Sequence, residues 1–113
     1  MGQWQTDLVD IIGAQFNSSP SLSLSGNLSI VAATPVATQL LPSGVRVGAT
    51  VFNDTDKDLF VGLGNVEVSS TFFTIRVAPG GYYEVPYNFG GQIRGVWAAS
   101  PSGFARMTEV LAV

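Results

Sequence analysis

Side chains able to do chemistry are few in this chain, and their spacing does not gather them. None of the 113 residues is a histidine or a cysteine, so the commonest general base and the strongest nucleophile are both missing. Lys57 is the only lysine, and it stands among Asp54, Asp56 and Asp58, where ion pairing competes with any role as a free amine. A glycosidase needs two carboxyl groups about 5–9.5 Å apart across a sugar. Glu84 and Glu109 are the strand-borne acids on offer, and nothing in their spacing brings them together. Pairing with Arg94 or Arg106 across strands is the expectation for both. No catalytic residue is assigned, and the chain reads as non-enzymatic.

The run Asn53-Asp54-Thr55-Asp56-Lys57-Asp58 imitates the start of a calcium loop. Counted from Asp54, Leu59 falls where the turn needs glycine and Asn65 falls where a bidentate glutamate is needed. The run is therefore read as a hairpin loop, since Asp and Asn side chains bond nearby amides in turns. No metal site and no cofactor is expected. Met1-Gly2-Gln3-Trp4-Gln5-Thr6 fits the N-myristoylation pattern, but no basic cluster follows to supply a second anchoring signal. Asn17, Asn27 and Asn53 each begin an N-x-[ST] triplet, which matters only in a secreted chain. The start lacks a positive n-region and carries Asp7 and Asp10, which argues against a cleaved secretory signal.

Charged residues make up 12% of the chain, about half the usual share. A small domain so poor in charge exposes much uncharged, partly apolar surface, and contiguous patches of that kind mark interaction sites. The expectation is a homo-oligomer or a part of a larger assembly. The net charge is −3 and the five cationic residues are scattered, so nucleic acid is not an expected partner. A membrane is not expected either, because no run of about 18 apolar residues is present.

The elements that must carry these residues fall into two parts, 1–30 and 31–113. Trp4, Leu8, Ile11, Ile12 and Phe16 form one apolar stripe, and their spacing predicts a helix over 4–16 with Thr6 at its cap. So short a helix needs a surface to pack on. Residues 17–27 are rich in Ser, Asn, Pro and Gly, the composition of an adaptable connection. Leu22 and Leu24 alternate with serines, as Leu28 and Ile30 do after them, which fits a hairpin or an arm that adds a strand to another subunit's sheet. The expected partner-binding residues are Trp4, Leu8, Ile11, Ile12, Phe16, Leu22 and Leu24.

From residue 31 onward, strands are expected at 36–41, 46–53, Leu59–Leu63, 72–78, 82–87, 92–99 and 104–111, with turn residues between them. The segment 72–87 is the centrepiece: two alternating runs joined by Pro79-Gly80-Gly81 read as strand, tight connection, strand. Alternation puts Tyr83 and Tyr87 on the same face as Val85, inside. About seven short strands without intervening helices predict an all-β fold, an antiparallel β-sandwich or small barrel with an N-terminal helix and an extended arm. Tyr82, Tyr83 and Trp97 are the residues a carbohydrate-binding module would use as a stacking platform.

The order GATVFNDTDKDLFVGLG, STFFTIRVAPGGYYEVPYNFGGQIRGVWAA and SGFARMTEV, spanning about residues 46–110, resembles a small β-domain found among virion structural proteins of tailed bacteriophages. The resemblance implies a non-enzymatic building block of the particle, commonly oligomeric. Joined to the arm, it leads to an expectation of a capsid cement or decoration protein that forms a homo-oligomer, a trimer by preference. Its partners would be the major capsid protein or other virion proteins. Neck, tail or fibre-anchoring roles are the alternatives within the virion.

Overall fold

A computed structural model describes residues 23–112. The stripe Trp4, Leu8, Ile11, Ile12, Phe16 and the arm residue Leu22 lie outside the described residues. Among the described residues every regular element is a strand: β1 (Leu24–Ala32), β2 (Thr38–Leu41), β3 (Gly48–Thr55), β4 (Leu59–Leu63), β5 (Ile75–Val77), β6 (Tyr82–Val85), β7 (Ile93–Trp97) and β8 (Gly103–Ala112). They form two antiparallel four-stranded sheets, ordered β1-β8-β3-β6 and β2-β7-β4-β5, here sheet one and sheet two.

The pairing is nested. β1 pairs with β8, β2 with β7, β3 with β6 and β4 with β5, as in one long ribbon with the β4–β5 connection at its tip. Rolling that ribbon up brings β3 against β8 and β4 against β7. This is the strand order of a jelly roll, a double-sheet answer to the problem of free sheet edges. Of all the connections between consecutive strands, only β4–β5 stays within one sheet.

That topology corrects two expectations. The Asn53–Asp58 stretch is not a hairpin, because β3 and β4 belong to different sheets. The Pro79-Gly80-Gly81 corner likewise carries the chain from β5 in sheet two to β6 in sheet one. A tight turn and a tight inter-sheet corner draw on the same residues, since both need a fixed φ followed by a permissive one. Gly80 has a φ of 78°, which an L side chain rarely adopts.

The core lies between the sheets. Val51, Ala49, Ala105, Met107 and Val85 of sheet one meet Leu59, Val61, Ile93, Trp97 and Val77 of sheet two in one buried cluster. Strict alternation along β3 turns Ala49, Val51 and Asn53 inward and leaves Phe52 and Asp54 exposed. A slip of one residue would exchange the two sets, so burial of each side chain, about 1.5–3 kcal/mol for a large aliphatic, fixes the register. Tyr83 packs against this core, whereas Tyr87 lies past the end of β6 and is exposed.

Two buried polar hubs brace the ends of the core. The carboxamide of Asn53 donates to the carbonyls of Lys57 (2.8 Å) and Val77 (2.9 Å). Its Oδ1 accepts from the Thr55 hydroxyl (2.6 Å) and from Trp97 Nε1 (3.1 Å). Beyond the other end of β3, Arg46 donates through Nε to Glu109 (2.8 Å) and through Nη1 to the Phe89 and Gly91 carbonyls (2.8 and 3.1 Å). Its Nη2 donates to the Pro42 carbonyl. Buried polar groups of this kind are tolerable because their partners are supplied.

Candidate interaction surface

Among the described residues, the acids singled out in the sequence lie apart. Glu109 sits opposite Ala49 on the inner face of sheet one, while Glu84 sits opposite Thr50 on the outer face. The strand-borne pair considered for sugar chemistry is thus divided by the sheet itself. Its expected arginine partners are also replaced: Glu109 binds Arg46, and Arg106 binds Asp54 at 2.8 Å. Arg94 instead donates to Gln92, at 3.0 Å. In the calcium-like run, Asn53 and Thr55 turn to the core hub, and Asp56 Oδ1 accepts the Ser102 amide at 2.8 Å.

The aromatic platform is dismantled too. Trp97 is 2% exposed and commits its indole N–H to Asn53, so its ring offers no face to a sugar. Tyr83 belongs to the core, where burial raises its phenol above the ordinary tyrosine value. Only Tyr82 of the three is exposed.

What the fold does assemble is an apolar outer face on sheet one. Reading across the strands, Ile30, Arg106, Phe52 and Tyr82 stand in one row. Phe104 lies opposite Ala32 in the next row, and Leu28 lies opposite Thr108 on the other side. Leu24, Leu28, Ile30 and Tyr82 are 56, 78, 55 and 70% exposed, and Phe52 and Phe104 are exposed beside them. The one ion pair here, Arg106 with Asp54, lets the guanidinium sit between apolar neighbours while its charge is met locally.

The outer face of sheet two is different. The β4–β5 connection folds back across it, placing Val68 on Phe60 and Val96 in a second buried cluster. Phe73 from the same connection packs its ring on Phe60, with centroids 5.1 Å apart. Gly62 permits this closeness, since a Cβ there would lie 2.7 Å from Val66 Cγ2. One sheet has its apolar back covered by its own chain; among the described residues nothing covers the other.

Of the expected partner-binding residues, Leu24 alone is described, as the first residue of β1 with its side chain on this face. Leu28 and Ile30, expected in the arm, and Tyr82, expected in a stacking platform, lie on this face, together with Phe52 and Phe104, to which the sequence reading gives no surface role. Alternation sets Tyr82 opposite in facing to Tyr83 and Val85, but only the sheet order brings it together with Phe52 and β1. In comparisons with known proteins, no family model, no curated protein and no solved structure matches the chain.

Proposed function

We propose that this protein is a non-enzymatic virion structural protein of a tailed bacteriophage, a capsid cement or decoration protein that acts as a homo-oligomer. In this reading the jelly-roll body is a β-sandwich that meets its neighbours through sheet one, and residues 1–22 hold the shell. The observation that carries the assembly role is the contrast between the two outer faces: sheet two is covered by its own connection, whereas among the described residues sheet one presents an uncovered apolar row. Jelly rolls recur in viral capsid domains and also in lectins and cupins, so the architecture is compatible with the virion reading but does not assign it. The virion part rests on the resemblance over residues 46–110.

The mechanism is multivalent binding. Each arm contributes a modest contact, and linkage through the oligomer raises the effective concentration of the others. A protein that binds the assembled shell and not its free subunits stabilises the shell by mass action. Mass spectrometry of gradient-purified virions from the source of this sequence tests the reading. A copy number comparable to the major capsid protein supports cement; a few copies per particle point to a neck, tail or fibre-anchoring role; absence removes the virion reading. Deleting residues 1–22, which leaves β1 intact, should give a folded body that no longer decorates particles.

A further inference from the structure

Each sheet has two edges, and three of the four are blunted. β6 has four residues, includes Glu84 and runs into Pro86; β2 has four, an irregular register and Pro42 directly after it. β5 has three residues, carries Arg76 and meets Pro79 two residues on. Short strands, charges, prolines and bulges are the devices that keep sheet edges from pairing with other chains. β1 has none of them. It is nine residues long, LSGNLSIVA, with no charge and no proline, and β8 is its sole neighbour among the described residues.

We propose that β1 pairs antiparallel with the β1 of a second copy of this chain, about a two-fold axis at Leu28, joining two four-stranded sheets into one of eight. A second copy fits because the strand is self-complementary. Only the register centred on Leu28 pairs all nine residues. On the outer face it sets Leu24 opposite the partner's Ala32, Ile30 opposite the partner's Gly26, and Leu28 opposite the partner's Leu28. In the first two pairs a bulky residue faces a small one, the two Leu28 side chains meet on the axis, and a Cβ at Gly26 meets nothing within 4 Å, so space is open there. On the inner face Asn27 stands opposite the partner's Ser29, a polar pair able to hydrogen-bond. No charge on the strand opposes its own image.

Pairing in this way also makes the two apolar outer faces continuous, so edge hydrogen bonds and side-chain burial act together. The two-fold arrangement gives pairs, where the sequence alone favoured three-fold assembly. The inference rests on the oligomer part of the proposed function and not on its virion part.

The chain has no cysteine, so a single introduced thiol reports cleanly. In the full-length protein, Leu28→Cys should oxidise to a covalent dimer more than about tenfold faster than Val45→Cys, an exposed loop control, because pairing raises the effective thiol concentration. Cβ atoms of directly opposed strand residues lie about 4.5–5.5 Å apart, closely enough for a disulfide with small adjustment. Leu28 is exposed, so neither this change nor a charged one threatens the fold. Leu28→Lys and Leu28→Glu should each abolish association alone and restore it when mixed, which only a self-opposed residue does. Equal cross-linking of Leu28→Cys and Val45→Cys, or an undiminished molar mass for Leu28→Lys, overturns the proposal. A chain that pairs but stays off particles leaves this inference standing and removes the virion reading; a chain that decorates particles as a monomer does the reverse.

Discussion

The indole Nε1 of Trp97 donates to Oδ1 of Asn53 at 3.1 Å across the interior, joining β7 of sheet two to β3 of sheet one. Both residues are buried, and the Asn53 carboxamide has partners on both its oxygen and its nitrogen. The Asn53 backbone also exchanges hydrogen bonds with the glycines of the inter-sheet corner, donating to Gly81 and accepting from Gly80. One side chain and its peptide therefore hold the point where the chain crosses between the sheets.

Asn53→Asp is nearly isosteric and should still be severe. The nitrogen that donates to the Lys57 and Val77 carbonyls becomes an oxygen facing two other oxygens in a dry site. Asn53→Leu removes the conflict but leaves the Trp97 N–H without its acceptor and takes a donor from the Val77 and Lys57 carbonyls, the latter keeping only the Thr55 hydroxyl. Each change should cost about 3 kcal/mol or more, read as a lower urea midpoint at unchanged slope.

Arg46 and Glu109 form a hub of a different kind. The Arg46 side chain is wholly buried and Glu109 nearly so, with three backbone carbonyls completing the guanidinium's contacts. Arg46→Met should destabilise by about 3–5 kcal/mol, because Glu109 is left as an uncompensated charge. Arg46→Lys should recover only part of that loss. An ammonium keeps the charge but cannot reach the Phe89, Gly91 and Pro42 carbonyls as a rigid fork does. Urea titration of the three proteins checks the order.

Tyr83 predicts a loss of stability in alkali. Burial disfavours its phenolate and raises its pKa in the folded chain. The folded state therefore keeps the proton at a pH where the unfolded state has released it, so stability is full below the ordinary phenol range and falls above about pH 10. Tyr83→Phe should flatten that fall. Thermal unfolding of the two proteins from neutral pH into this range measures the difference.

Much of the body was legible in the sequence, and the reasons for the misses are physical. Leu59–Leu63 was read with the bounds it has, because a short apolar run between turn residues has few other uses. The serines, asparagine and glycine of β1 fit a hairpin or an arm adding a strand to another subunit's sheet, and the strand instead pairs with β8 of its own chain. Its outward apolar residues Leu24, Leu28 and Ile30 are exposed. Strand 72–78 shrank to Ile75–Val77, with Phe72 and Phe73 left exposed and Phe73 packed against Phe60 on the outer face. The inter-sheet crossings were invisible locally, since a corner and a hairpin use the same Pro-Gly and Asn-Asp chemistry. The apolar row was invisible for a related reason: Ile30, Phe52, Tyr82 and Arg106 come from four strands that are distant in sequence and adjacent only once the ribbon is rolled.

If another chain covers sheet one as proposed, the protein self-associates. Light scattering on the full-length protein over a hundredfold range of concentration tests it most directly. The expected molar mass is at least twice the 11.9 kDa of one chain, falling toward one chain on dilution. A mass of one chain at every concentration would contradict it.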